Sequence, residues 1–193
     1  MTNHRKLLFF FTIIFLAGMI GIIIALLTQG RHEYAQNIAI KAGVWVIYTY
    51  IETKYSIDIN NTIRALMMMT ILSDSFLGLY INLYATSTVF DKIQHVFGSY
   101  SFSLFAYNLI CQLTQPVISR SFRFIFVVSL GLSVGVFYEI GEFIGDFTMK
   151  PSVPSQPNLL DTDLDLIADV IGSLIAAVYA VTILSLSNKH PEK

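Results

Sequence analysis

The chain has 193 residues, of which 54% are hydrophobic and 13% are charged, and its formal net charge is −1. A soluble domain carries about 25% charged residues, so this composition excludes a water-soluble globular protein. The small net charge argues against a nucleic-acid partner and a polybasic lipid anchor, and the single cysteine, Cys111, excludes an intrachain disulfide.

Apolar stretches of about 20 residues predict membrane-spanning helices. The first, 7–27, is longer than the apolar core of a signal peptide and no A-x-A-like cleavage site follows it, so we expect it to be retained. The segment 37–51 is weaker because it contains Lys41, and it either spans or re-enters the membrane. Clear spans follow at 63–84, 93–113, 122–147 and 164–186.

The sequence therefore predicts an all-α, polytopic transmembrane helix bundle of about six helices in a single domain, 1–193. Small residues four apart predict close helix packing at Gly131 and Gly135, at Gly141 and Gly145, and from Gly172 to Ala180. Basic residues favour the cytoplasmic side of a membrane. The distribution of basic residues predicts the same orientation for the last four helices whether or not the second segment spans the membrane. In that orientation, residues 91, 146 and 161 lie near the outer face.

Ionisable residues recur in and beside three of these apolar segments, where charge is costly and usually functional. Their spacing places the members of each segment on one helical face, and we expect the three faces to line one outward-facing cavity. Asp74, near the middle of the third span, either completes this cavity or hydrogen-bonds within the bundle. The remaining candidates are Asp91, His95, Glu139, Glu142, Asp146, Asp161, Asp165 and Asp169.

Carboxylates near the end of an apolar helix need compensation by protons, a basic group or a metal ion, because the helix dipole opposes negative charge there. Basic residues are scarce nearby, and Lys92, Lys150 and Lys41 are the candidates. Carboxylates with one imidazole suit Mg²⁺, Mn²⁺, Ca²⁺ or Zn²⁺. A proton or ion pathway and a purely structural polar network remain the alternatives to a metal site.

Three sequence blocks carry a resemblance to known families: FDKIQHVFGSYSFSL at 90–104, EIGEFIGD at 139–146 and LLDTDLDLIADVIGSLIAA at 159–177. They resemble the YjdF-like family of uncharacterised bacterial membrane proteins and, more distantly, the VanZ-like family, which is associated with glycopeptide resistance through the cell envelope. The resemblance implies a bacterial cytoplasmic membrane location. The resemblance implies that the key positions of the family motifs are Asp91, His95, Glu139, Glu142, Asp161, Asp165, Asp169 and Gly172.

Two positions depart from the VanZ-like pattern: Glu142 stands where a Gln-type residue is usual, and Asp169 stands where an Asn-type residue is usual. An antibiotic-related role is therefore not carried over.

We expect a membrane protein that binds a divalent metal ion and acts on a lipid-linked or cell-envelope substrate. Asp91 would act as an acid or base or would orient the histidine. Whether the protein is an enzyme stays open, because the chain has no G-x-S-x-G, H-E-x-x-H or P-loop motif. A proton- or cation-coupled transporter and a non-catalytic scaffold are the alternatives. The expected metal ligands are His95, Glu139, Glu142, Asp165 and Asp169.

Overall fold

The structure, a computed structural model, describes residues 3–114, 119–150 and 154–184, and in these residues the chain forms helices joined by short connections. The predicted all-α, polytopic helical fold is confirmed. π-helical turns extend the third helix over Asp74–Tyr80 and the last over Ala180–Leu184. The α-helices are α1 (Asn3–Thr28), α2 (His32–Lys54), α3 (Asn61–Ser73), α4 (Leu83–Thr86), α5 (Phe90–Thr114), α6 (Arg120–Met149) and α7 (Leu159–Tyr179).

Four helical segments of the described chain are long and apolar enough to cross a membrane: Arg5–Thr28, Asn61–Tyr80, Arg120–Thr148 and Leu159–Ile183. The sequence also predicts spans in α2 and α5. These helices have 23 and 25 residues, but they are less apolar because charged side chains interrupt α2 and serine, asparagine and glutamine recur along α5. The end of the last predicted span, 185–186, lies outside the described residues. Residues 151–153, which belong to the proline-rich loop between α6 and α7, lie outside them as well.

The chain divides into two compact units, Met1–Thr88 and Val89–Lys193, and the single-domain organisation stays a prediction. In the first unit, α2 packs on α1 through Trp45, which is buried. The Trp45 ring lies 5.1 Å from that of Phe15 between centroids, and its Nε1 donates to Thr12 Oγ1 at 3.5 Å. The weak second segment is therefore a full helix whose buried face packs on α1.

The first unit contains a buried ion pair between Glu52 of α2 and Arg64 of α3. The two residues are 1% and 0% exposed. Arg64 also donates to the Asn61 side chain and, at 3.1 Å, to the carbonyl oxygen of Ile59. The guanidinium group thereby joins α2 to the start of α3. Its buried charge is tolerated because it is paired and hydrogen-bonded.

The predicted span 63–84 is interrupted. The π-helical segment ends at Tyr80, and Asn82 adopts a left-handed conformation with φ of 70°. Arg31 donates to the terminal carbonyl oxygens of Leu79 at 2.7 Å and Tyr80 at 2.9 Å. The span ends here because an arginine distant in sequence satisfies carbonyl groups that a helix end leaves without partners.

The second unit is built from α5, α6 and α7. Side-chain caps define two helix starts: Ser119 accepts from the backbone N–H of Phe122, and Asn158 accepts from that of Asp161, each at 3.2 Å. Such caps satisfy N–H groups that a helix start leaves without partners.

Glycines allow the helices of the second unit to approach closely. A methyl group on Gly131 would collide with Ser103 and Ser173, and one on Gly135 would collide with Asp169. Close packing at these positions and at Gly172 is confirmed. The same prediction is wrong for Gly141 and Gly145, where an added methyl group would meet nothing within 4 Å. The reason is that this part of α6 turns its glycines away from its neighbours.

We predict that Glu52→Gln strongly destabilises the protein, because it removes the carboxylate charge that pairs with the buried Arg64 guanidinium. Removing one partner of a buried pair costs about 3–5 kcal/mol. Thermal unfolding of the purified protein in detergent measures the effect. Glu33→Gln, at an exposed position of the same helix, serves as the control. Equal melting temperatures for the two variants would contradict the importance of the pair.

Candidate metal centre

Three helices of the second unit bring six carboxylates, one lysine and one histidine together. The predicted convergence of these helical faces is therefore present in the structure. Helix α5 supplies residues from its first two turns, α6 from its last three turns, and α7 from its first three turns. The residues are Asp91, Lys92 and His95 on α5, Glu139 and Glu142 on α6, and Asp161, Asp165 and Asp169 on α7.

His95 lies at the centre of this cluster and is 5% exposed. Its Nδ1 contacts Asp169 Oδ2 at 3.3 Å, within hydrogen-bonding distance. Its Nε2 lies 3.6 Å from Glu139 Oε1 and 3.8 Å from the Oδ1 atoms of both Asp91 and Asp165. These three distances are too long for hydrogen bonds, so carboxylates from three helices surround one ring nitrogen without bonding to it.

Lys92 pairs with carboxylates on two helices. Its Nζ lies 3.2 Å from Asp91 Oδ2, 2.5 Å from Asp161 Oδ1 and 2.8 Å from Asp165 Oδ2. One of the three basic residues that the sequence offered as compensation therefore does supply positive charge to the cluster. Lysine has three N–H donors, and this one directs all of them to carboxylates.

Four buried polar atoms in the cluster have no hydrogen-bond partner among the described residues: His95 Nε2, Glu139 Oε1, Glu142 Oε2 and Asp165 Oδ1. Glu139, His95 and Asp165 are each more than nine-tenths buried. Buried polar atoms normally have partners. Ligand atoms of Asp91, His95 and Asp165 lie within 4.8 Å of one another, and the same holds for His95, Glu139 and Glu142.

Asp146 and Gln156 connect the end of α6 to residues 155 and 156, which precede α7. The carboxylate of Asp146 accepts from the backbone N–H groups of Ser155 at 2.9 Å and Gln156 at 2.8 Å. The Gln156 side chain then donates to Glu139 Oε2 at 2.7 Å and to its carbonyl oxygen at 2.9 Å. Asp146 thus anchors the backbone of Ser155 and Gln156, while the Gln156 side chain fixes one oxygen of Glu139 and leaves the other near His95.

Sequence reasoning missed Gln156 and Tyr138. A single glutamine in a proline-rich loop gives no signal of its own. The Tyr138 ring lies edge-on to His95, with centroids 5.3 Å apart and planes at 87°, and an aromatic residue in an apolar helix is ordinarily interpreted as packing. Both residues act on a member of the cluster through contacts that only the folded chain creates.

Asp74 belongs to the first unit and has partners there. Its Oδ2 pairs with Lys41 of α2, and its Oδ1 accepts from the Tyr84 hydroxyl at 2.9 Å. Of the two expectations for Asp74, the structure shows hydrogen bonding within its own unit. The pair also accounts for the presence of Lys41 in an otherwise apolar segment.

Comparison with known proteins identifies the family. Residues 7–185 match the family described as "Predicted membrane protein (DUF2238)". The chain belongs to this family. An "Uncharacterized protein" of Thermotoga maritima is 29% identical over 115 residues, which are 60% of this chain and 59% of that relative. The match therefore covers less than two thirds of the relative's length. No solved structure matches the chain.

In this DUF2238 protein, we predict that Gly172→Ala displaces α7 from α5. An added methyl group would collide with the Val96 carbonyl oxygen and with Ser99, and a backbone group cannot rotate away. The melting temperature should fall, and so should the affinity of the cluster for any ligand that it binds.

The matched control is Gly141→Ala, at a helical position where the methyl group meets nothing within 4 Å. This change should be neutral or stabilising by about 0.5–1 kcal/mol, because alanine suits helices better than glycine. Equal behaviour of the two variants in thermal unfolding would show that the close approach is unimportant.

Proposed function

We propose that this membrane protein binds a divalent cation at the cluster and uses it on a phosphate or acyl ester of a lipid-linked or cell-envelope substrate. The four buried atoms without hydrogen-bond partners, one each from His95, Glu139, Glu142 and Asp165, carry this proposal. An imidazole nitrogen and carboxylate oxygens are ligands that hard and borderline divalent ions accept, namely Mg²⁺, Mn²⁺, Ca²⁺ or Zn²⁺.

The charge balance favours a cation over a purely structural network. Six carboxylates face one lysine and one histidine, which leaves an excess of negative charge in an apolar surrounding. A structural network would pair its polar atoms, because unpaired buried groups are costly. Here Glu139 Oε1 and Asp165 Oδ1, which both lack partners, lie 3.6 and 3.8 Å from His95 Nε2, which lacks one as well. A ligand atom of Glu142 lies within 4.8 Å of ligand atoms of His95 and Glu139, so a bound cation would satisfy several of these groups together.

The contacts suggest distinct roles for the residues. His95 would offer Nε2 to the ion, because its Nδ1 faces the carboxylate of Asp169. Such a carboxylate–histidine pair orients the ring and raises its basicity as a ligand. Asp169, expected from the sequence to be a ligand, therefore fits better as a positioning residue. Glu139, Glu142 and Asp165 would be the carboxylate ligands.

A bound divalent ion would polarise a phosphoryl or carbonyl oxygen or activate a water molecule. Asp91 lies beside both Lys92 and His95, at 3.2 and 3.8 Å, and it is more exposed than Asp165. It would hold or transfer a proton at its carboxylate, as the sequence suggested, or complete the ligand set. Lys92 would offset the repulsion between Asp91 and Asp165 by pairing with both.

The location of the site is part of the proposal. The YjdF-like resemblance supports a bacterial cytoplasmic membrane, and the distribution of basic residues supports a cluster near its outer face. The YjdF-like resemblance rests on the same three blocks that supply the cluster, and the VanZ-like resemblance stays a prediction. An envelope substrate would meet the protein at this face.

A cation- or proton-coupled transporter is the second candidate, and the partly buried Lys41–Asp74 pair in the first unit favours it. Charged pairs within membrane spans often mark proton relays. However, both oxygens of Asp74 have partners, which suits a structural role. Flux in liposomes that Asp74→Asn abolishes without lowering the melting temperature would favour transport over the metal-dependent function.

We predict that the full-length protein, freed of metal by chelation, binds Mn²⁺ in a saturable manner. Asp165→Asn and Glu142→Gln should each weaken binding by about tenfold or more, since even outer-shell changes reach that size. Electron paramagnetic resonance of free Mn²⁺ during titration measures the affinity.

The control is Asp163→Asn, an exposed aspartate of the same helix, which should bind Mn²⁺ as the unmodified protein does. Melting temperatures separate lost ligands from lost structure. Absence of saturable binding, or equal affinities for Asp163→Asn and Asp165→Asn, would reject the metal site.

A further inference from the structure

A largely apolar groove of about 630 Å³ runs between α5 and α7 in the second unit. Among its lining residues, Lys92 is the only charged one, and it is also the one nearest the start of α5. The others that matter here are Ile93, Phe97, Ile167, Ile171 and Ile175. The groove volume lies in the range of small-molecule sites, about 300–1,000 Å³.

We propose that this groove binds the hydrocarbon chain of a lipid phosphate ester and thereby holds its phosphate at Lys92. The inference rests on the proposed function and names its substrate class. Lys92 belongs both to the groove and to the acidic cluster, where it contacts Asp161 and Asp165. One end of the groove therefore adjoins the acidic cluster.

The shape and the lining of the groove suit a hydrocarbon chain. From Leu164 to Ile175 the lining of α7 extends about 16 Å, at roughly 1.5 Å per residue. Apart from Lys92 and the hydroxyl of Tyr100, the described lining side chains are all hydrocarbon. The groove is therefore an elongated apolar surface with a charged residue at one end, a pattern that matches a hydrocarbon chain with a charged head group.

Charge decides the chemistry of the head group. Lysine binds phosphate as a point charge, and the Lys92 side chain is 20% exposed. Its partner Asp161 is 21% exposed and Asp165 only 1%, so a phosphate would replace Asp161 at the ammonium group. The nearby carboxylates repel an anion, and the divalent cation of the proposed function would offset that repulsion.

A photoaffinity experiment tests the groove. The full-length protein, in phosphatidylcholine nanodiscs with Mn²⁺, is irradiated with a dodecyl phosphate that carries a diazirine at the end of its chain. Mass spectrometry then locates the label. We expect label on the groove-lining residues toward the far end, Tyr100, Ile171 and Ile175, and competition by dodecyl phosphate but not by dodecanol or inorganic phosphate.

Filling the groove supplies the matched comparison. Ile171→Trp should reduce labelling about tenfold, since burial of a few methylene groups accounts for that factor. Leu174→Trp, at an exposed position of α7 that does not line the groove, should leave labelling unchanged. The chain-length preference of the unmodified protein, dodecyl over butyl phosphate, tests the groove even if a variant fails to fold.

Several outcomes would overturn the inference. Label spread equally over groove and non-groove positions would exclude a chain-binding site, and competition by dodecanol would exclude phosphate recognition. Dimers cross-linked through the groove would assign it to a second copy of the chain. Saturable Mn²⁺ binding without groove labelling would reject this inference and leave the proposed function standing. Groove labelling without Mn²⁺ binding would reject the proposed function and leave chain binding in the groove standing.

Discussion

Excess negative charge among apolar helices is the constraint on which the second unit depends. Asp91, Glu139, Glu142, Asp161, Asp165 and Asp169 face Lys92 and His95, and the burial of several of them removes the water that would otherwise solvate the charges. Such an arrangement is costly in a low-dielectric surrounding unless a counter-charge is supplied. Lysine supplies part of it, and a divalent cation at His95 would supply more.

The fold of the second unit brings the cluster together through small local features. Gly135 and Gly172 admit neighbouring groups where any larger residue would collide. Asp146 fixes the backbone of Ser155 and Gln156, and the Gln156 side chain fixes Glu139. These interactions order the side chains before any ligand arrives, which lowers the cost of binding.

The sequence predicted much of this because the signals were local. Carboxylates four residues apart in apolar helices must share a face, and faces that carry charge must meet each other or water. Contacts between residues far apart in the sequence were not predicted. They are the hydrogen bond from Gln156 to Glu139, the ring contact between Tyr138 and His95, and the ion pair between Lys41 and Asp74. The break at Asn82 escaped for the same reason, since it accompanies bonds from Arg31 that no periodicity reveals.

The most direct test is anomalous X-ray scattering from crystals of the full-length protein grown with Mn²⁺. The account predicts one strong anomalous peak at the centre of the cluster, within about 2.0–2.6 Å of His95 Nε2 and of carboxylate oxygens from both α6 and α7. A cluster without an anomalous peak, or with peaks only at exposed carboxylates such as Asp163, would contradict it.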